Sequence, residues 1–342
     1  MPQLHPAPIT SAARPENRLA GLDGLRAVAA ACVVVMHIHA IWAGFPDLAG
    51  YSYLAVDFFF MLSGYVMART YEARLVNGYG SYRFLRARIV RLWPTMAVGA
   101  VLALPFVWRD HPDVETFLKI VIPNLLLLPS FAVAEIFALN VPAWSIFFEL
   151  VANAVHGAVL CRVRTPVLAV LAALSLGALT VAAWHFGGLD LGSQQGNVLG
   201  GLARVAFTYI MGILLWRLFG DRAPIPVPPL LAFVAMPVIF SLSYWLAAEI
   251  WWIDLAFVTI GCPLILWGGL RLRRFTRVAT LAGAASFPLY AVHYPLLLGA
   301  EAIGMHALSG LAVALLGAAA LTWATTQRNH IVVQNSTAEC AM

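Results

Sequence analysis

The sequence predicts an all-α integral membrane protein, a bundle of about ten transmembrane helices. Three observations predict it. Only 11% of the 342 residues are charged, where soluble globular chains carry about 25%. Hydrophobic residues make up 61% and the mean hydropathy is +0.83. Apolar stretches about twenty residues long recur along the chain, each able to cross a bilayer.

Residues 1–18 are polar and aperiodic and read as a cytoplasmic tail. The first apolar segment, Leu19 to Trp42, is too long for a signal-peptide core and reads as an uncleaved anchor. Further spans centre on 52–69, 92–108, 141–160, 166–186, 198–218, 228–247, 250–270, 280–299 and 305–326. A further apolar segment, 117–133, is interrupted by Pro123, Asn124 and Pro129. The positive-inside rule decides its placement. With ten spans and a cytoplasmic N-terminus, seventeen of the twenty-one basic residues fall on the cytoplasmic side. They include Arg14, Arg18, Arg69, Arg86, Arg88, Arg91 and the cluster Arg271, Arg273, Arg274, Arg277. Counting 117–133 as a span would move every later cluster outside. It is therefore expected to be re-entrant or superficial within an outer loop, 109–140, with both termini cytoplasmic. Residues 327–342 are expected to form a polar, irregular tail.

The net charge of +5 follows from this topology and requires no nucleic-acid partner. The four cysteines make no metal-binding or disulfide spacing, and three lie in apolar segments as small core residues. No motif for a bound metal or cofactor is present.

Ionisable residues inside spans are costly and point to function. The first span carries Asp23, Arg26, His37 and His39. Arg26 and His37 are eleven positions apart, so they share a helix face about 16 Å apart along the axis. That spacing suits a long anionic ligand with its charge at Arg26 and its reactive end at His37, the shape of a CoA thioester. A neutral imidazole there can take a proton from a hydroxyl; the plainer reading is a histidine hydrogen-bonded within the bundle. Asp57 near the outer end of the second span is either solvated or ligand-facing. Ser63-Gly64 permits either close helix approach or ligand contact. Arg88 and Arg91 share a face at the mouth of the third span, for topology or for a phosphate. Glu149 lies about two turns inside the fourth span, where it would orient or charge-pair with His37 or an arginine. His293 lies between Pro288 and Pro295, so a broken helix is expected, with the imidazole binding a freed carbonyl or acting directly.

Taken in order, these segments resemble acyltransferase family 3, membrane acyltransferases that modify bacterial surface and secreted glycans. Leu22-Asp23-Gly24-Leu25-Arg26 with His37 is similar to the family's Arg-x10-His opening. Phe59-Phe60-Met61-Leu62-Ser63-Gly64 with Arg69 is similar to its FFxxSG…R signature. Arg88-Ile89-Val90-Arg91-Leu92-Trp93-Pro94 is similar to its RxxRxxP region, Trp144-Ser145 with Glu149 to WSLxxE, and Ser286 through Pro295 to SxxLYLxHxP. The resemblance covers about residues 19–326. It implies an acyl-CoA donor, an essential His37, donor binding by Arg26, Arg69, Arg88 and Arg91, and support of the active site by Glu149. Ser63, Asp57, Trp144, Tyr290 and His293 complete the set expected to contact donor or acceptor.

The expected protein is thus a multi-pass enzyme of the bacterial inner (cytoplasmic) membrane. It moves an acyl group, acetyl by family breadth, from acyl-CoA to a hydroxyl of a polysaccharide, oligosaccharide or glycolipid. The alternatives are a secondary transporter or lipid-linked glycan flippase, against which the missing inverted repeat argues, and a carrier of the acyl group alone.

Overall fold

The computed structural model describes residues 19–245 and 251–339. The expected tail 1–18, with Arg14 and Arg18, and also Cys340 lie outside the described residues. The chain opens with α1 (Ala20–Ile41). A 3-10 turn (Gly50–Leu54), α2 (Ala55–Met67), a π-turn (Ala68–Glu72) and α3 (Ala73–Val76) form one rod. There follow α4 (Ser81–Asp110), α5 (Val114–Leu125), α6 (Ala143–Ala158), α7 (Thr165–Phe186), α8 (Val198–Phe219), α9 (Pro229–Phe240) and α10 (Leu242–Trp245). After residues 246–250 come α11 (Trp251–Ala256), a π-turn and α12 (Cys262–Leu270), then α13 (Thr276–Ala302) and α14 (Ala307–Glu339).

Among the described residues eight helical stretches are long and apolar enough to cross a bilayer: α1, Gly50–Val76, α4, α7, Gln195–Phe219, Trp251–Leu270, α13 and Ala307–Gln327. At the two other expected positions stand shorter helices, α6 of 16 residues and α9 of 12. The segment 117–133 folds as the 12-residue α5 and an irregular stretch. Such a helix is about 18 Å long, well short of the hydrocarbon core.

Two local expectations are corrected. The helix around His293 is unbroken through both Pro288 and Pro295. Proline 295 has no N–H for the Ala291 carbonyl, and Asn140 Nδ2 donates to that oxygen at 2.8 Å in its place. Residues 327–339, expected to be irregular, continue α14.

Small residues set the helix crossings, as expected where lipid supplies no hydrophobic drive between helices. A Cβ on Gly64 would overlap the Tyr209 carbonyl oxygen, and one on Gly212 the Met61 carbonyl oxygen, so α2 and α8 touch backbone to backbone. In Ser63-Gly64 the glycine thus provides the close helix approach, and the serine turns to a cavity. Gly64→Ala is expected to push α2 from α8 and destabilise the fold by about 1–3 kcal/mol, read as a lowered unfolding midpoint in detergent.

The rods alternate in direction. The ends of α2, α6 and α8 and the start of α4 gather at one end, where Arg69 pairs with Asp221, Arg217 with Glu72, and Ser81 Oγ donates to the Gly157 carbonyl. Asp221 lies in the turn after α8. Burial alone would raise its pKa, but hydrogen bonds from Arg69 and Tyr65 hold it below the usual carboxylate range. At the opposite end the loop 126–142 folds over the bundle. Asn124 staples it, donating to the Leu128 and Ile136 carbonyls and accepting from the Leu139 amide. Backbone bonds from Ile136 to Ser193 and from Gln195 to Ala134 join it to the loop before α8.

Candidate active site

Two cavities enter the bundle from its two ends. The first, about 90 Å³, is lined at the arginine-rich end by Arg26 of α1, Ser63 of α2, Arg88 and Arg91 of α4 and Glu149 of α6. Ser63 and Met67, one turn apart, turn the same face of α2 to it. Glu149 Oε1 accepts from Arg88 Nη2 at 2.8 Å and from Ser63 Oγ at 2.7 Å. Arg91 lies within Coulombic range of both Arg88 and Arg26. Three guanidiniums face one carboxylate, a surplus of positive charge suited to phosphate-type oxygens.

The second cavity, about 480 Å³, lies at the other end and is lined by His37, Tyr53, Trp144 and Tyr294, and by the carboxylates Asp110, Glu135 and Asp190. Among the described residues no lysine or arginine lines it, and His111 stands beside Asp110 in the lining. Ser52, with no exposed surface, also lines it, and its Oγ has no hydrogen-bond partner among the described residues.

Tyr290 lines both cavities. Its hydroxyl lies 2.8 Å from Ser145 Oγ and 3.3 Å from the Pro142 carbonyl, to which Ser145 also donates at 3.0 Å. These groups form a thin polar partition between an arginine-lined chamber and one holding His37. The His37 ring packs against His293, with Nδ1 3.1 Å from His293 Nε2, and against the edge of Tyr294.

The structure therefore brings Arg26, Ser63, Arg88, Arg91, Glu149 and Tyr290 around one chamber. His37 and Trp144 line the other, with His293 behind His37. Two expected contacts are corrected. Asp57 lines neither cavity: it shares a helix face with Met61 and Gly64, which pack on α8, and pairs there with Arg204 at 2.7 Å. Arg69 also lines neither. It lies two residues past Met67, about 200° round the helix, and is held by both oxygens of Asp221. Glu149 meets an arginine and not His37, so of the two partners considered for it the arginine is the one found. The three carboxylates of the larger cavity and Tyr53 were not anticipated. They lie in or beside loops and belong to no motif.

Among the described residues no group of three His, Cys, Asp or Glu side chains is placed to hold a metal. Cys32, Cys161 and Cys262 are buried free thiols.

A family model described as an acyltransferase domain matches residues 19–326. Protein 2 in picA locus of Rhizobium radiobacter is 36% identical over 190 residues, covering 50% of this chain and 98% of that protein. A putative membrane-bound transacylase BcsY of Komagataeibacter xylinus is 31% identical over 105 residues, 29% of this chain and 25% of that protein. The chain thus spans about a quarter of that relative's length. No solved structure gives a significant match.

Proposed function

The chain belongs to acyltransferase family 3, and from that premise we propose that it transfers an acyl group from acyl-CoA to a hydroxyl of a carbohydrate acceptor across the partition at Tyr290. The observation that carries this reading is the pair of chambers, one lined by arginines and one by His37, that share Tyr290.

The donor's phosphates bind Arg26, Arg88 and Arg91, with Glu149 and Ser63 holding Arg88 in place. The thioester reaches the Tyr290–Ser145 partition, whose hydroxyls supply donors to the carbonyl oxygen as it gains charge. The acceptor occupies the larger chamber. Its hydroxyl oxygen forms the new C–O bond while His37 takes the proton; the C–S bond breaks, and the thiolate recovers that proton from His37. The acyl group is taken as acetyl, as the family resemblance implies. The arginine-rich end faces the cytoplasm, as the positive-inside rule requires of a bacterial inner-membrane protein.

The larger chamber also limits the acceptor. Its aromatic walls, the unpaired Ser52 hydroxyl and three carboxylates suit a hydroxyl-rich ring that is neutral or amine-bearing. A uronate or phosphate at that position would meet like charge at Glu135 and Asp190, while Asp110 is paired with the adjacent Arg109.

The test uses host membranes with and without the protein, supplied with acetyl-CoA labelled in the acetyl group. Release of free CoA with label entering neutral or cationic glycan is the expected result. Equal release and incorporation in both membranes would sink the enzyme reading in favour of a transporter. Label confined to anionic glycan would sink the charge preference alone.

A further inference from the structure

His293 Nδ1 lies 3.0 Å from the carbonyl oxygens of both Leu289 and Tyr290. A carbonyl only accepts, so this nitrogen carries a proton. The residue is fully buried and has no ion-pair partner among the described residues, conditions that favour the neutral imidazole. Its Nε2 then presents a lone pair, and His37 Nδ1, 3.1 Å away, must be the donor.

We propose that His293 is a positioning residue that holds His37 in its Nδ1–H form, leaving Nε2 as the basic atom in the larger chamber. The proposal rests on the reading of His37 as the base. An isolated imidazole favours the opposite form, with the proton on Nε2, in which the nitrogen facing an acceptor hydroxyl could not take its proton. Which nitrogen is protonated is set by what the other one bonds, and here the orienting group is a second imidazole in place of the carboxylate of a hydrolase triad. In the transfer step the acceptor proton goes to His37 Nε2 and returns from it to the thiolate, while Nδ1–H stays donated to His293. The imidazolium formed in between is stabilised by that bond, and the resting site carries no buried charge. Tyr294, edge-on to His37 at 5.1 Å between ring centres, fixes the plane of the ring.

The experiment is nitrogen-15 NMR of the full chain in detergent, labelled at histidine, with the His37 signals identified by their loss in His37→Asn. A protonated Nδ1 and a bare Nε2 are expected in the wild type, a reading that needs no variant of His293. In His293→Phe the proton should move to Nε2, and donor turnover should fall about 100-fold at unchanged KM for acetyl-CoA. His293→Gln, whose Oε1 can accept from His37 Nδ1, should keep both the tautomer and turnover within about 10-fold. An Nε2–H form in the wild type, or an unchanged tautomer in a folded His293→Phe, overturns the proposal. The expected tautomers in a protein that transfers nothing would support the positioning and sink the functional reading, so the two failures are distinguishable.

Discussion

His37→Gln is expected to lower donor turnover by at least about 1000-fold, within the range that general-base catalysis contributes, while leaving affinity for the donor within about twofold. Glutamine is the severe test because it preserves so much. Its amide NH2 can still donate toward His293 Nε2, and its volume is close to that of imidazole. It lacks a basic nitrogen, so only the proton-accepting step is removed. Donor affinity is expected to hold because His37 does not line the arginine chamber, where Arg26, Arg88 and Arg91 are gathered. The measurement is release of free CoA from acetyl-CoA beside calorimetric binding of CoA to the same preparation. Turnover within about 10-fold of wild type would remove His37 from the role of base. A matched loss of CoA affinity would mean that the two chambers are one site.

Much of this arrangement can be read from the sequence, because membrane physics leaves few options. Apolar runs of about twenty residues favour spans. Eight of the ten expected spans coincide with helical stretches long enough to cross, while α6 and α9 are shorter. The arginines of the first chamber are legible by spacing: Arg88 and Arg91 share a face, and Arg26 lies near the start of the same span as His37. What could not be read is which helix faces which. Arg69 looks like one more donor-binding arginine until the turn after α8 is seen to place Asp221 beside it. Asp57 near a span terminus looks solvated, because nothing in the chain says that α2 lies against α8. A signal was present nonetheless. Asp57 and Arg204 are opposite charges within two different spans, and two such charges are each too costly to leave alone. The partnership of His37 with His293 had no signal beyond a histidine between two prolines. The carboxylates at Asp110, Glu135 and Asp190 converge only through the folding of loops, where spacing carries no information.

The Asp57–Arg204 pair yields the largest expected effect on stability. Both side chains are fully buried. Arg204 Nη2 and Nε donate to Asp57, Nη1 donates to the Leu191 carbonyl at 2.7 Å, and Nη2 also reaches the Tyr53 carbonyl at 2.7 Å. The guanidinium lies over the Trp144 ring, 5.2 Å from its centre. One cation thus joins α2, α8, the loop before α8, the turn before α2 and the first turn of α6. Asp57→Ala leaves that cation buried without its counterion and should cost about 3–5 kcal/mol. Arg204→Met leaves the carboxylate equally stranded, and in addition strips the buried Leu191 carbonyl and the part-buried Tyr53 carbonyl of their donor, so it should cost at least as much. The double variant removes both charges, and its loss should fall short of the sum of the singles by about 2 kcal/mol or more. It should not return to wild type, because the Leu191 and Tyr53 carbonyls remain unsatisfied. Unfolding midpoints of the four proteins in one detergent complete the cycle. Activity should fall with stability in each variant, since Trp144 and Tyr53 are walls of the His37 chamber. Additive losses would mean that the two charges do not act as a pair. A stable Asp57→Ala would mean that its guanidinium finds enough in two carbonyls and an indole face, and that the aspartate serves something other than the fold.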